Sequence, residues 1–238
     1  MGKVVLHGKR IFGLLGAGAV AILLSACAGK PAPLSASSSL SDTPSFVVTQ
    51  LEATAGTVEA QEMQSLVDEA TRTILSDAFA HNLTSIDRPI ALSPFGPRVN
   101  SSTLLTLLLG TDPAYTYVPT RLRWVTSGGN SNNGAGVGSI VNLTNHVRSN
   151  WQSDDPRVQS LAINSMAHEL SHSLSHEPSQ LDNVFTDKFF SLYFLHRSKA
   201  IASYTVGTVA QCTWLAEKVP DLVLMDCYRR YGLRNFTP

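Results

Sequence analysis

Apolar residues recur at helical spacing over residues 57–81, where Met63, Leu66, Val67, Ala70, Ile74 and Ala78 fall three or four positions apart. This spacing predicts one amphipathic helix. Between Asp87 and Leu143 the pattern changes. Short apolar or β-branched runs at Ile90–Leu92, Tyr115–Val118, Leu122–Thr126 and Ser139–Leu143 are separated by Gly, Pro and Asn clusters, which predicts a small sheet. Leu104–Leu109 reads equally as strand or helix. Residues 128–138 consist of Gly, Asn, Ser, Ala and one Val and read as a loop. They lack the Lys-Ser/Thr of a phosphate cradle. From Asp155 the pattern is mostly helical. Asp155 is placed to cap a helix whose first residue is Pro156. That helix is expected to run to about Ser175, because Pro178 pushes Glu177 towards extended geometry. Further helices are predicted over 187–198, 203–218 and 221–231.

The predicted helix from Pro156 carries His168-Glu169-Leu170-Ser171-His172, an HExxH motif. Residues i and i+4 share one helix face, so two imidazoles there can grip one metal ion. With the 7 His and 7 Glu of this chain, chance produces the motif in roughly one of 170 such chains. The helical wheel adds context. His172 lies about 40° from His168, whereas Met166, Ile163, Leu170, Leu174 and Ala167 gather on the opposite side. A helix with an apolar back and a His-His-Glu front suits the floor of a cleft.

At this point the chain resembles the zincin metallopeptidases. Met166, Leu170, Ser171, Ser173 and Leu174 agree with the family's uncharged flanks and with its apolar residue two past the second His. The resemblance covers roughly residues 115–175. It implies an α+β, zincin-like fold: a small mixed sheet followed by an active-site helix and a mostly helical C-terminal part. It implies Zn2+ held by His168 and His172, with Glu169 as general base. Its third ligand stays open. The positions for the metzincin Gly and His are Ser175 and Pro178, which disfavours that branch. Glu217 matches the gluzincin distance, with Asp221 in the place of that branch's supporting Asp, and shares a helix face with Val206, Ala210 and Trp214. Asp187 is the aspzincin-like alternative. His176 qualifies only if the helix unwinds before it. His196 is a weaker candidate. Tyr193 and Tyr204 stand as candidates for the tyrosine that stabilises an oxyanion in several zincins, or as core aromatics.

Composition changes the picture mainly at the N-terminus. Lys3, Lys9 and Arg10 precede an uncharged apolar run from Ile11 to Leu24, too short to span a bilayer but suited to a signal peptide. It ends in Leu24-Ser25-Ala26-Cys27, which resembles the lipobox of bacterial lipoproteins. The resemblance implies removal of residues 1–26 and a lipidated Cys27. With Ala28 rather than Asp next, it also implies an outer-membrane location. Residues 27–48 then read as the lipidated cysteine and a flexible Ser/Pro/Ala-rich tether, and 49–238 as one domain. Within that domain, residues 49–85 are either a fixed helix or a removable pro-segment.

The whole chain has 18 basic and 18 acidic residues. Loss of the first 26 removes three bases and no acid, leaving 15 against 18. That balance gives no basic face for nucleic acid. Cys212 and Cys227 then remain as a pair and are expected to form a disulfide in an oxidising compartment. The leading functional expectation is a lipid-anchored zinc metallopeptidase acting on envelope proteins or peptides, its membrane contact made through the lipid. The alternative is a catalytically inactive zincin-like outer-membrane lipoprotein that binds or supports other components. A cell-wall amidase ranks third.

Overall fold

The computed structural model describes residues 48–51, 57–93, 96–110, 115–117, 120–126, 131–135, 138–176 and 201–231. In chain order these form β1 (Val48–Leu51), α1 (Val58–Ile74), α2 (Asp77–Thr84), β2 (Ile90–Ala91), β3 (Arg98–Val99), α3 (Ser101–Leu108) and β4 (Tyr115–Tyr117). Then follow β5 (Thr120–Val125), β6 (Ser131–Ala135), β7 (Gly138–Thr144), α4 (Asn145–Trp151), α5 (Pro156–Ser171), β8 (Leu174–His176), α6 (Ala202–Lys218) and α7 (Leu224–Tyr231). All of them lie in one unit of the chain, residues 41–238.

The single helix expected over 57–81 is two. Thr57 caps α1 by accepting from the Ala60 amide at 3.3 Å. After one turn of C-terminal capping, the Ser76 hydroxyl accepts from the Phe79 amide at 3.1 Å and starts α2. A serine competes for backbone groups, so it favours a cap over a helix interior. Leu104–Leu109 resolves as helix. Asn100 caps α3, accepting from the Thr103 amide at 2.7 Å, and Leu104, Leu107 and Leu108 face the core. Gly110, with φ 60°, ends it in a left-handed conformation that a side chain resists.

The main sheet is mixed, in the order β1-β5-β7-β6. β1 and β7 both run parallel to β5, while β6 runs antiparallel to β7. Leu122 of β5 and Val141 and Leu143 of β7 enter the core. Residues 131–135, expected as loop, are instead the edge strand β6. An edge strand is held by backbone bonds to one neighbour, so its sequence need not carry an apolar alternation.

Asp155 caps α5 through the Arg157 amide at 2.8 Å, with Pro156 in the first turn, as expected. The helix stops at Ser171, earlier than Ser175. Two tightened bonds close it, from the His172 amide to the Glu169 carbonyl and from the Ser173 amide to the Leu170 carbonyl. The chain then straightens into β8, which pairs antiparallel with β4. Leu174 therefore belongs to a strand rather than to the helical stripe.

The C-terminal part is helical. α6 packs against α5, α2, α7 and α1 and is buried from Ala202 to Leu215 except at the half-buried Tyr204. Cys212 and Cys227 form the expected disulfide between α6 and α7. α1 is integral to the domain, since Met63, Leu66 and Ala70 are fully buried in the same core as Ile163, Met166 and Leu170 of α5. The fold is thus a small mixed sheet, then a helix bearing the HExxH cluster, then a mostly helical C-terminal region. Among the described residues no helix is long and apolar enough to cross a membrane.

Ion pairs hold α1 towards both its ends. Near the N-terminal end, Arg148 of α4 meets Glu62 at 2.7 Å and Glu59 at 2.9 Å, and Gln152 donates to Glu62 at 2.6 Å. Burial raises the Glu62 pKa, but the bonds from Gln152 and Arg148 outweigh it and hold the carboxyl below its ordinary 4.5. A carboxylate depressed in this way stabilises the fold fully above its unfolded pKa and loses that contribution as pH falls through the folded value. Glu62→Gln is therefore expected to cost about 1 kcal/mol at pH 7. The gap from the native chain should narrow as pH drops below 4.5. Urea unfolding of both chains across that range checks it, and a gap independent of pH would refute it.

Candidate metal centre

α5 delivers the His-Glu-x-x-His motif one turn before the helix gives way to β8. His168 lies within the last turn, and His172 is the C-cap residue. Their Nε2 atoms stand 3.2 Å apart, with the ring planes at 83°. Two nitrogens on one tetrahedral zinc, each about 2.05 Å from it, stand about 3.3 Å apart. Like lone pairs brought this close repel unless a proton or a cation sits between them. Glu169 and His172 are buried, and His168 is half-buried. The donor atoms of the three residues lie within 4.8 Å of one another. Two imidazole nitrogens at tetrahedral spacing, with a carboxylate close by, fit one divalent cation.

Three contacts place these side chains. The Ser171 hydroxyl donates to the His168 carbonyl at 2.6 Å, closing the last turn. The Thr120 hydroxyl, at the start of β5, donates to the Ser173 hydroxyl at 3.0 Å and ties the residue after His172 to the sheet. The Tyr204 ring of α6 meets the His168 ring edge-on, with centroids 4.6 Å apart and planes at 71°. α6 can come this close because residue 207 is Gly. A Cβ there would stand 2.9 Å from the Asn164 carbonyl oxygen and 3.2 Å from His168 Cβ. One turn further along α6, Asn164 donates to Gln211 at 2.8 Å, and Gln211 donates to Ser160 at 3.1 Å. These bonds set the register of the two helices.

Of the residues singled out in the sequence, the structure brings together His168, Glu169 and His172, and joins Cys212 to Cys227. It does not bring Glu217 to them. Glu217 sits on the last turn of α6, 13 residues beyond Tyr204 and hence about 20 Å along the axis. Its exposed carboxylate pairs with Arg72 of α1 at 2.8 Å. The partner that a carboxylate on that helix face requires is an arginine, not a metal. Asp221 is exposed beyond the helix end. His176 satisfies the condition set for it, because the helix does end first, and its backbone pairs with Tyr115 in β8. Asp187, Tyr193, His196 and Cys27 lie outside the described residues.

Sequence reasoning left three contributors unassigned: Thr120, Ser173 and Gly207. Gly207 carried a usable signal. It lies three residues after Tyr204 on one face of a helix with no other Gly, which marks a close approach.

The chain matches no protein-family model, no curated protein and no solved structure, so the geometry carries the functional reading alone. Gly207→Ala tests how far the centre depends on the α5–α6 contact. The added methyl meets backbone, which yields poorly, so a loss of about 1–3 kcal/mol is expected. Weaker zinc binding should accompany it as His168 shifts. Thermal unfolding and zinc titration check both, and unchanged values in both would show that the helices do not depend on this approach.

Proposed function

We propose that the protein is a zinc-dependent metallopeptidase of zincin type, anchored in the cell envelope by a lipid on Cys27. The observation that carries the catalytic part is the paired geometry of His168 and His172 with buried Glu169 between them in sequence. His168 and His172 are the protein ligands. With Glu217 committed to Arg72, the sequence candidates left for a third ligand are His176, Asp187 and the weaker His196. Bound there, zinc supplies Lewis acidity, lowering the pKa of a water towards 7 and polarising a carbonyl.

Glu169 does the proton work. As a buried carboxylate beside the ligands it takes the proton of the attacking water. It then returns a proton to the leaving amine nitrogen.

The sheet supports a peptide as substrate. β6 ends the sheet order, and both β6 and β7 pack near α5. An extended chain can add to such an edge through backbone bonds. This recognition reads peptide geometry before side chains. The Leu24-Ser25-Ala26-Cys27 sequence supports attachment to the outer membrane and restricts substrates to proteins or peptides of the envelope.

Two experiments test the reading. Glu169→Gln should keep bound zinc and lower peptide hydrolysis by about 10²–10⁴-fold; hydrolysis at the native rate would rule out Glu169 as the base. Cys27→Ser should move the protein from the membrane to the soluble fraction of fractionated cells. Mass spectrometry of the native protein checks the same point, and a Cys27 without a lipid would rule out the lipid as its anchor.

A further inference from the structure

Helix geometry alone does not make a metal centre of His168 and His172. Spacing of i and i+4 puts both on one face but leaves each ring free to turn about its χ2 bond, a broad and nearly two-fold rotation. Convergence of the two Nε2 atoms at 3.2 Å requires both rings to be held. His172 is held by burial and lies one residue from the Thr120–Ser173 bond. His168 is only half-buried.

Tyr204 lies against the His168 ring. The two rings pack edge to face at 4.6 Å, and His168 in turn packs edge to face on His172 at 4.8 Å. The His168 ring thus contacts both Tyr204 and its partner His172. Gly207, one turn further along α6, lets the helix close on His168 Cβ. One face of α6 thus supplies both a ring against the imidazole and the clearance that brings it into range.

We propose that Tyr204 is a positioning residue of the centre, whose ring fixes the His168 imidazole in its metal-binding orientation. This rests on the metal reading above. It differs from a role in which the Tyr204 hydroxyl meets the reacting carbonyl, because it assigns the effect to the ring. Ring removal should therefore weaken binding of the metal itself, before any substrate is present.

The test compares Tyr204→Phe and Tyr204→Met in the full chain. Methionine keeps the space filled without a flat ring. Zinc affinity is read by competition with a chromophoric chelator, the ligand field by the visible spectrum after cobalt(II) loading, and folding by circular dichroism. Tyr204→Phe should match the native chain in affinity and cobalt spectrum. Tyr204→Met should bind zinc about tenfold or more weakly, the usual cost of losing a group that orients a ligand, with an altered cobalt spectrum. If Tyr204→Met bound both metals as the native chain does, the proposal would be overturned. So it would if Tyr204→Phe lost as much as Tyr204→Met, since the hydroxyl would then be the active part.

A native chain that takes up no zinc would instead remove the metal reading. In that event the histidine ring resonances of the metal-free protein still decide the positioning claim. One ordered His168 environment in the native and Phe chains, and an averaged one in the Met chain, is the expected result. If Tyr204→Met fails to fold, the same comparison on Tyr204→Leu replaces it.

Discussion

The structure depends on how closely α5 and α6 approach. α6 is buried over most of its length, and it serves as the post on which α5, α2 and α7 pack, with α1 alongside. Two of its buried polar side chains are answered from neighbouring helices: Gln211 by Asn164 and Ser160, and Thr213 by Asn82. Such pairs add little net energy but are costly to break, so they fix one register between helices that apolar packing alone would let slide. At the point of closest approach no Cβ stands between them. The same contact that closes the core therefore determines where His168 lies. Stability and site geometry are one constraint here, read at two distances.

Much of this was legible in the chain. The HExxH helix, its Asp155-Pro156 start, α6, the strands β5 and β7 and the disulfide all follow from local chemistry and periodicity. What was not legible was set by partners distant in sequence. α5 ends at Ser171 because β8 pairs with β4, a backbone exchange that no residue in 171–176 announces. β6 escapes notice because its edge position demands nothing apolar of it. Glu217 misled for an instructive reason. The requirement for a partner was sound, but Arg72, 145 residues earlier, met it.

The charges of α1 complete this picture. Arg72 bonds both Glu217 and Glu69, which hold its guanidinium above the ordinary arginine range. Arg148 and Gln152 grip the acids of the first turns. Each exposed pair contributes little by itself. Their joint effect is orientational. α1 buries one apolar stripe and must not rotate about it, and charges on two flanks, bonded to α4 and α6, oppose that rotation.

The bond between Thr120 and Ser173 has a consequence in time. Its partners are 53 residues apart, and the Asn164–Gln211 contact spans 47. Contacts of such separation must first meet the entropy of closing the chain between them, which the local turns of a helix do not. A nascent or unfolded chain therefore carries the motif without the centre: the histidines share a helix face, but nothing aligns their rings. The alignment of the centre therefore arrives with the docking of α6 and β5 against α5, not with the helix that carries the motif.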